Sequence, residues 1–168
     1  MQVFAEISER LTEDLKQAII DNRQNATGRT ISAIEARHGD NFASVVALPD
    51  AHHIWALQYG RGPTQNAGDG TLYDRILEWV NAKGVIFQDA IRQSKYTIQE
   101  RTAKTITYFI HKRGTYLHHK GETYHGERNP ILRVFTQQKI DEIKQEIVND
   151  RVAMVRSEIF KELNKLAT

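Results

Sequence analysis

The feature that most constrains this chain is a long run of apolar residues at helical spacing near its C-terminus. Asn129-Pro130 precedes the run, and proline is tolerated in the first turn of a helix. The apolar positions then recur every three or four residues, which is the spacing of one helical face. They are Ile140, Ile143, Ile147, Val148, Val152, Val155, Ile159, Leu163 and Leu166. The sequence therefore predicts one long helix over residues 130–166, whose apolar face needs a partner.

The N-terminal segment supplies that partner. Residues 4–24 carry the same spacing, with charged residues on the other side and a polar stretch ending in Thr27-Gly28. The apolar positions are Phe4, Ile7, Leu11, Leu15, Ala18 and Ile19. We expect this first helix to pack along the last one.

Between the two helices the period of the pattern changes. Residues 31–38 and 42–48 are two short runs about the turn residues Gly39-Asp40-Asn41, a pattern typical of a β-hairpin. Pro49 ends the second run and leads into a segment, residues 50–59, with Ile54, Leu57 and Trp55 as candidates for the core.

Two further helices are predicted before the C-terminal one. Residues 71–83 have a helical apolar face, and Gly84 ends it. Residues 98–113 fit a helix by spacing and a strand by their β-branched residues. We predict a helix because the segment is long and Gly114 closes it. The pattern of residues 85–96 is ambiguous.

The fold class that these elements predict is α+β: an N-terminal helix, a β-hairpin forming a small antiparallel sheet, short helices and a long C-terminal helix. A length of 168 residues suits a single domain over 1–168. The absence of cysteine excludes disulfides, thiolate nucleophiles and cysteine zinc sites. No apolar run approaches the roughly 20 residues that span a bilayer. Residues 1–6 lack the basic stretch and apolar run of a secretory signal, so we expect none.

A glycine-rich stretch is the first candidate for chemistry, since four of the ten glycines fall between residues 60 and 70. A phosphate-binding loop requires a lysine after its last glycine, which is missing here. The spacing of a dinucleotide-binding loop is missing too. Glycine also serves wherever the backbone turns left-handed or packs closely. We therefore expect a structural or assembly loop.

The second candidate is a polar loop predicted over residues 111–128, which holds four of the seven histidines. His118, His119 and His125, with His111 and Glu122 nearby, are types that bind metals. They lack a helical ligand spacing, so we predict no metal, no cofactor and no catalytic residue. The alternative is a small metal-dependent, nuclease-like or nucleic-acid-binding protein that uses this loop.

The third candidate is a mixture of cations and aromatic rings, as single-strand binders use. The residues are Lys112, Arg113, Lys120 and Arg128, with Tyr108, Tyr116 and Tyr124. Glu122 and Glu127 dilute the positive charge, and the whole chain has a net charge of only +2. A solvated face is therefore favoured, and a passing contact with DNA stays open.

Four short stretches together resemble a known family. They are "TGRTISAIEA", "HHIWALQYGRGP", "LYDRILEWVNAKG" and "FIHKRGT". In order and spacing they are similar to the neck, tail-completion or minor tail proteins of long-tailed bacteriophages. The matching positions are Thr27, Gly28, Ser32 and Ile34; Leu57, Tyr59, Gly60 and Gly62; Trp79, Lys83 and Gly84; and Ile110, Gly114 and Thr115. The pattern departs from the family at Thr30, Gln58 and Arg61, which we expect to affect the ring interface.

The resemblance implies a structural virion protein and no enzyme. Such proteins form homo-oligomeric rings at the head–tail connection, between head connector or portal-adaptor proteins and tail tube or tail terminator proteins. The ring would be assembled in the cytoplasm of a bacterial host, reside in the virion and allow a passing contact with genomic DNA. The resemblance places Tyr59, Gly60, Arg61 and Gly62 at the oligomer interface. There the loop to Gly70 would become ordered beside a neighbour, and Arg61 would pair with a neighbouring carboxylate.

Overall fold

A computed structural model describes residues 2–51, 53–64, 71–87, 95–120 and 129–166. Two strands and a series of helices occupy these ranges. The strands are β1 (Ile34–His38) and β2 (Ala43–Ala47). The helices are α1 (Gln2–Asp21), α2 (Arg29–Ser32), α3 (Ile54–Tyr59), α4 (Thr71–Lys83), α5 (Ile98–Arg113), α6 (Tyr116–Lys120), α7 (Pro130–Val134) and α8 (Gln137–Leu166), with a 3-10 turn at Pro49–Ala51. The predicted α+β class is confirmed.

The predicted hairpin is confirmed as a two-stranded antiparallel sheet. Ile34 lies opposite Ala47 and His38 opposite Ala43, and the amide of Gly39 donates to the carbonyl of Phe42 across the turn at 2.9 Å. The first strand starts three residues later than predicted because residues 29–32 form the single helical turn α2.

The main core forms on one face of α1, as its periodicity predicts. The buried apolar residues of this helix are Val3, Phe4, Ile7, Leu11, Leu15, Ala18 and Ile19. They pack against the hairpin, α3, α7 and the beginning of α8, where Ile143 and Ile147 contribute partly buried side chains. The hairpin and the last two helices are therefore assembled around α1.

α1 and α8 run antiparallel. The Lys139 ammonium lies 2.9 Å from Asp14 and the Arg10 guanidinium 2.6 Å from Glu146. Residue numbers on α8 thus rise as those on α1 fall. The order of these pairs means that α8 runs toward the N-terminal end of α1.

The predicted helices α4 and α5 are confirmed to the residue, and they pack against each other. α5 begins with a capping box. The Thr97 hydroxyl accepts from the Glu100 amide at 3.2 Å, and the Glu100 carboxylate accepts from the Thr97 amide at 2.7 Å. Such a cap fixes the start of a helix, and it explains why the β-branched residues after it adopt helical geometry.

Two boundaries differ from the sequence predictions. The C-terminal helix is interrupted after Val134, and α8 restarts at Gln137, where the Thr136 hydroxyl accepts from the amide of Lys139 at 3.2 Å. A threonine that caps a helix start competes with a continuous helix at that point. The predicted loop 111–128 is also wrong in part, because it contains the end of α5 and all of α6; residues 121–128 lie outside the described ranges.

Packing of the last helix on the first is confirmed for α7 and the first half of α8, but it is wrong for residues 152–166. We call this last part of α8 the arm. Every residue of the arm is exposed, and no residue of α8 is fully buried. The reason is that little of α1 is left beside the arm. Arg151 already stacks over the ring of Phe4, close to the beginning of α1, at 5.2 Å. The arm extends roughly 22 Å beyond that point at 1.5 Å per residue.

Candidate functional site

The glycine-rich motif after α3 is locked to the turn between α5 and α6. The Thr115 amide donates to the Arg61 carbonyl at 2.8 Å, and the Arg61 amide donates to the Thr115 hydroxyl at 2.8 Å. The Thr64 amide donates to the His111 carbonyl at 3.0 Å. We call this set of contacts, between residues 60–64 and 111–118, the clasp.

Glycine is required on both sides of the clasp. Gly60 and Gly114 have φ of 81° and 76°, in the left-handed region that favours glycine. A Cβ on Gly60 would collide with the backbone amide of His118, and one on Gly114 would lie 2.6 Å from the Arg61 carbonyl oxygen. The clasp therefore brings together two of the four stretches that carry the family resemblance.

The clasp accounts for Gly60 and Gly62 without a phosphate. A phosphate cradle needs several backbone amides that point into open space, whereas the amides of Arg61 and Thr64 already donate within the chain. Residues 60–64, which the resemblance places beside a neighbouring subunit, already make contacts within their own chain. Residues 65–70, the rest of the expected interface loop, lie outside the described ranges.

Of the four residues expected at an oligomer interface, Tyr59 is the most accessible. Its ring stacks on that of Trp55, with centroids 6.1 Å apart and planes within 5°. Trp55 is 59% exposed and Tyr59 45%. We call these two side chains the aromatic patch. Gly60, Arg61 and Gly62 are half-buried, and the Arg61 guanidinium donates to the Thr64 hydroxyl at 3.3 Å.

Gln58 departs from the acidic residue of the family pattern, and its role is internal. It is fully buried, about 80° around α3 from the aromatic patch. Its side-chain oxygen accepts from the amides of Ile131 and Leu132 at 2.8 and 3.4 Å, in the first turn of α7. The Asn129 amide group in turn donates to the Gln58 carbonyl. Gln58 thus joins α3 to α7 within one chain, and the expectation about the ring interface stays a prediction.

The arm carries seven exposed large apolar side chains. Val155 and Ile159 are each 53% exposed and Leu166 is 85% exposed. The apolar residues of the arm form a stripe along one side of the helix. At about 100° per residue, this stripe is rotated by about 140° about the helix axis from Ile143 and Ile147. The apolar residues of the stripe are Val152, Val155, Ile159, Leu163 and Leu166.

Apart from Met154, polar residues occupy the face of the arm that continues the packed side of α8. Glu158, Lys161 and Lys165 stand there, at helical positions equivalent to Ile143 and Ile147. The apolar stripe of the arm is therefore not a continuation of the intramolecular seam. It is a separate surface that faces away from the core.

The histidines do not converge in the part of the chain that the structure describes. The rings of His118 and His119 are 6.0 Å apart, and the His118 ring lies beside Gly62 in the clasp. The described residues contain no group of three or more acidic residues or histidines that could hold a metal ion. His125 and Glu122 lie outside the described ranges, so the metal-site prediction as a whole stays a prediction.

The cations near the end of α5 lie over aromatic rings. The Lys112 ammonium is 5.5 Å from the centre of the Tyr108 ring, and the Arg113 guanidinium is 5.6 Å from that of Phe109. Both cations stand in the last turn of α5, where positive charge is favoured by the helix dipole. Tyr124 and Arg128 of the predicted basic patch lie outside the described ranges.

A third cation of α5 lies closer to a ring, which belongs to a residue just before the helix. The Lys104 ammonium is 3.5 Å from the centre of the Tyr96 ring. A hydrogen bond with Lys104 and the charge of that ammonium lower the pKa of the Tyr96 hydroxyl. Lys104, Lys112 and Arg113 of α5 thus each lie near an aromatic ring.

Comparison with known proteins gives no relative. No protein-family model matches the chain, and no curated protein or solved structure matches it. Among the described helices, none is both long enough and apolar enough to cross a membrane.

Proposed function

We propose that this chain is a structural protein of a tailed bacteriophage, which assembles into a homo-oligomeric ring at the head–tail connection. The observation that carries the proposal is the arm, because its apolar stripe is not covered by any described residue of the same chain. Monomeric proteins rarely expose a large contiguous apolar surface, and such a surface marks an interaction site.

The family resemblance specifies the kind of assembly. Its second and fourth stretches meet in the clasp, where their glycines are required by close backbone contact. Glycines that let two backbone segments pack closely have a structural role, as expected in a structural protein. The implied partners of the ring are head connector or portal-adaptor proteins on one side and tail tube or tail terminator proteins on the other, within the virion.

Light scattering coupled to size-exclusion chromatography tests the assembly of the purified chain. We expect the native chain to elute as an oligomer that electron microscopy shows as a ring. Val155→Asp combined with Ile159→Asp places two charges in the stripe and is expected to give a monomer. A native chain that remains monomeric at every concentration would refute the proposal.

A matched control places the same two charges on the opposite side of the arm. Ser157 and Asn164 lie about 160° around the helix from the centre of the stripe, and both are exposed. Ser157→Asp combined with Asn164→Asp should therefore leave assembly unchanged. Equal loss of assembly in both double variants would mean that charge on the arm, and not its apolar stripe, decides the result.

Nucleic-acid binding by α5 and α6 is the second candidate. No aspartate or glutamate occurs between Arg101 and Lys120, whereas the chain as a whole is nearly balanced in charge. Tyr108 is exposed beside Lys112, and stacked rings beside cations bind single strands. Binding of a labelled oligonucleotide that weakens with salt and is lost in Lys112→Glu with Arg113→Glu would support this candidate.

The nuclease form of that candidate has its own assay. Cleavage of DNA that requires an added divalent metal and is lost in His118→Ala with His119→Ala would favour the enzyme over the structural protein. Stoichiometric zinc that survives dialysis and is lost in the same variant would also favour the enzyme over the structural protein.

A further inference from the structure

One side of α5 carries cations and no acidic residue. Arg101, Lys104 and Lys112 follow one another at helical spacing, with Tyr108 between the two lysines. We call these four residues the basic face, which is about 16 Å long at 1.5 Å per residue. At about 100° per residue, it lies about 165° around the helix from the buried side of α5. The buried residues of that helix are Thr102, Ala103 and Thr107.

The cations of the basic face differ from many others in the described chain because they have no carboxylate partner. Elsewhere arginines and lysines pair with acidic side chains, as Arg10 does with Glu146 at 2.6 Å. Among the described residues, no ion pair involves a cation of α5. The nearest carboxylate in sequence, that of Glu100, accepts from the amide and the hydroxyl of Thr97 in the capping box. Uncompensated positive charge of this kind favours an anionic partner.

The guanidinium of Arg101 gives the clearest sign that an anion is needed. Its side chain is half-buried, and Nε and Nη1 are buried without a hydrogen-bond partner among the described residues. Burial of a charged group without a partner is costly, and a guanidinium matches the oxygens of phosphate and carboxylate groups. An anion that Arg101 turns outward to meet would supply these acceptors.

Aromatic rings hold the two lysines of the basic face and leave them accessible. The Lys104 ammonium lies 3.5 Å from the centre of the Tyr96 ring, and the Lys112 ammonium donates to the Tyr108 hydroxyl at 3.2 Å. Both lysine side chains are exposed. An ammonium has three donors, so each lysine has donors left for a ligand. Side chains that are already ordered also lose less conformational freedom on binding.

The ring of Tyr108 favours a nucleic acid over other anions. It is 57% exposed, and it stands between Lys104 and Lys112 along the helix. Every unpaired base has a face that stacks on an aromatic ring, whereas a carboxylate or a lipid headgroup phosphate has none. An exposed ring between cations is therefore the combination that suits a single strand.

We propose that the basic face binds a single strand of nucleic acid, with Arg101, Lys104 and Lys112 on its phosphates and Tyr108 stacked on a base. A stacked strand carries one phosphate about every 3.4 Å. About five phosphates therefore lie along the 16 Å of the face, enough for its three cations. The inference rests on the nucleic-acid candidate above, gives it a defined site, and is independent of the proposed ring.

The salt dependence of binding counts the phosphate contacts. Fluorescence anisotropy of a labelled oligothymidine gives log K against log salt, whose slope is about −0.7 for each phosphate neutralised, hence about −2 for three. Lys104→Met and Lys112→Met should each reduce the magnitude of that slope by about 0.7. Arg113→Met is the matched control, since it removes the same charge about 135° around the helix from the centre of the face. A slope reduced equally by the control would overturn the assignment to this face.

Substitution of Tyr108 tests the stacked base separately. Tyr108→Ala should weaken binding of the oligothymidine by about tenfold and leave the salt slope unchanged. Tyr108→Phe keeps the ring and should retain most of the affinity. Thermal unfolding of every variant checks that the fold is intact. Equal affinities of the native chain and Tyr108→Ala would overturn the stacking.

The outcomes separate this site from the proposed ring. A native oligomer that does not bind the oligothymidine at low salt would overturn the site and leave the ring standing. A chain that stays monomeric and binds with the expected slope would refute the ring and leave the site standing. Tighter binding of a duplex, or equally tight binding of polyglutamate or of anionic phospholipid vesicles, would assign the face to another polyanion and overturn the proposal.

Discussion

The two halves of α8 share one helix and one apolar spacing, yet they have opposite surroundings. In residues 137–151, Ile143 and Ile147 pack on the core around α1, and Glu146 pairs with Arg10. In the arm every residue is exposed. The difference is the direction of the stripe, which turns by about 140° around the helix between Ile147 and the arm. Periodicity shows that a helix has an apolar face. The direction of that face around the helix determines which part of the molecule it can pack against.

In the proposed assembly, the contrast separates the residues that fold the chain from those that associate. The first half of α8 completes the core of the protomer. The arm adds no contact to that core, so changes there can alter association while the fold is kept. Stability and assembly are therefore expected to respond to different residues of one helix.

The largest expected effect comes from the core that the first half of α8 helps to cover. Leu15 is almost fully buried, so Leu15→Ala should lower the free energy of unfolding by about 2–5 kcal/mol. Ile147→Ala should cost less, at or below the lower end of that range, because Ile147 is only partly buried. Urea unfolding at a dilution where the chain is monomeric measures both.

Val155→Ala is the matched change in the arm. In the monomer it should alter the free energy of unfolding by no more than about 0.5 kcal/mol, as exposed substitutions do. A loss equal to that of Ile147→Ala would mean that the arm packs on its own core and would remove the contrast between the halves.

A loss of stability smaller than that of Leu15→Ala is expected where α3 is joined to α7, just before α8. Gln58→Ala leaves the partly buried backbone amides of Ile131 and Leu132 without their acceptor. A buried group that loses its hydrogen bond costs about 1–3 kcal/mol. Gln17→Ala, which removes an exposed amide on α1, is the control and should stay within about 0.5 kcal/mol. Equal melting temperatures for both variants would contradict the role of Gln58.

The smallest effect concerns pH and the first turns of α8. Hydrogen bonds from Gln137 and then Lys144 lower the pKa of the Asp141 carboxyl. A carboxyl with a lowered pKa in the folded state contributes stability above its unfolded pKa, and that contribution is lost as pH falls through the folded pKa. The advantage of the native chain over Asp141→Asn should thus be constant near neutral pH and shrink below about pH 4. An advantage that grows on acidification in thermal unfolding would contradict the sign.

The sequence predicts helices well where local signals agree. α4 and α5 match their predicted bounds because a clear apolar face is followed by glycine in both, and Gly84 and Gly114 adopt positive φ. The capping residues Thr97 and Glu100 were a further signal for α5. The interruption at Thr136 has a weaker signal, since neither glycine nor proline marks it. α6 is too short to show a period at all.

The candidate site was harder to predict because it depends on distant partners. Gln58 and Ile131 are 73 positions apart, so no local pattern links them. The clasp likewise joins Arg61 to Thr115 across 54 positions. The arm was predicted to pack on α1 because its spacing is correct for packing. Whether the arm packs also depends on how much of α1 lies beside it, and the spacing of apolar residues carries no information about that length.

The arm also has a consequence for timing. A helix of about 15 residues without tertiary contacts is only marginally stable in water, so in a lone subunit the arm should exchange between helical and frayed conformations. Association in the proposed ring would couple the ordering of the helix to recognition, and part of the contact energy would offset the lost conformational entropy. Each single contact would thereby be weakened, while a closed ring would hold every arm at once. Subunits are therefore expected to stay apart at low concentration and to close into rings once their concentration supplies enough neighbours.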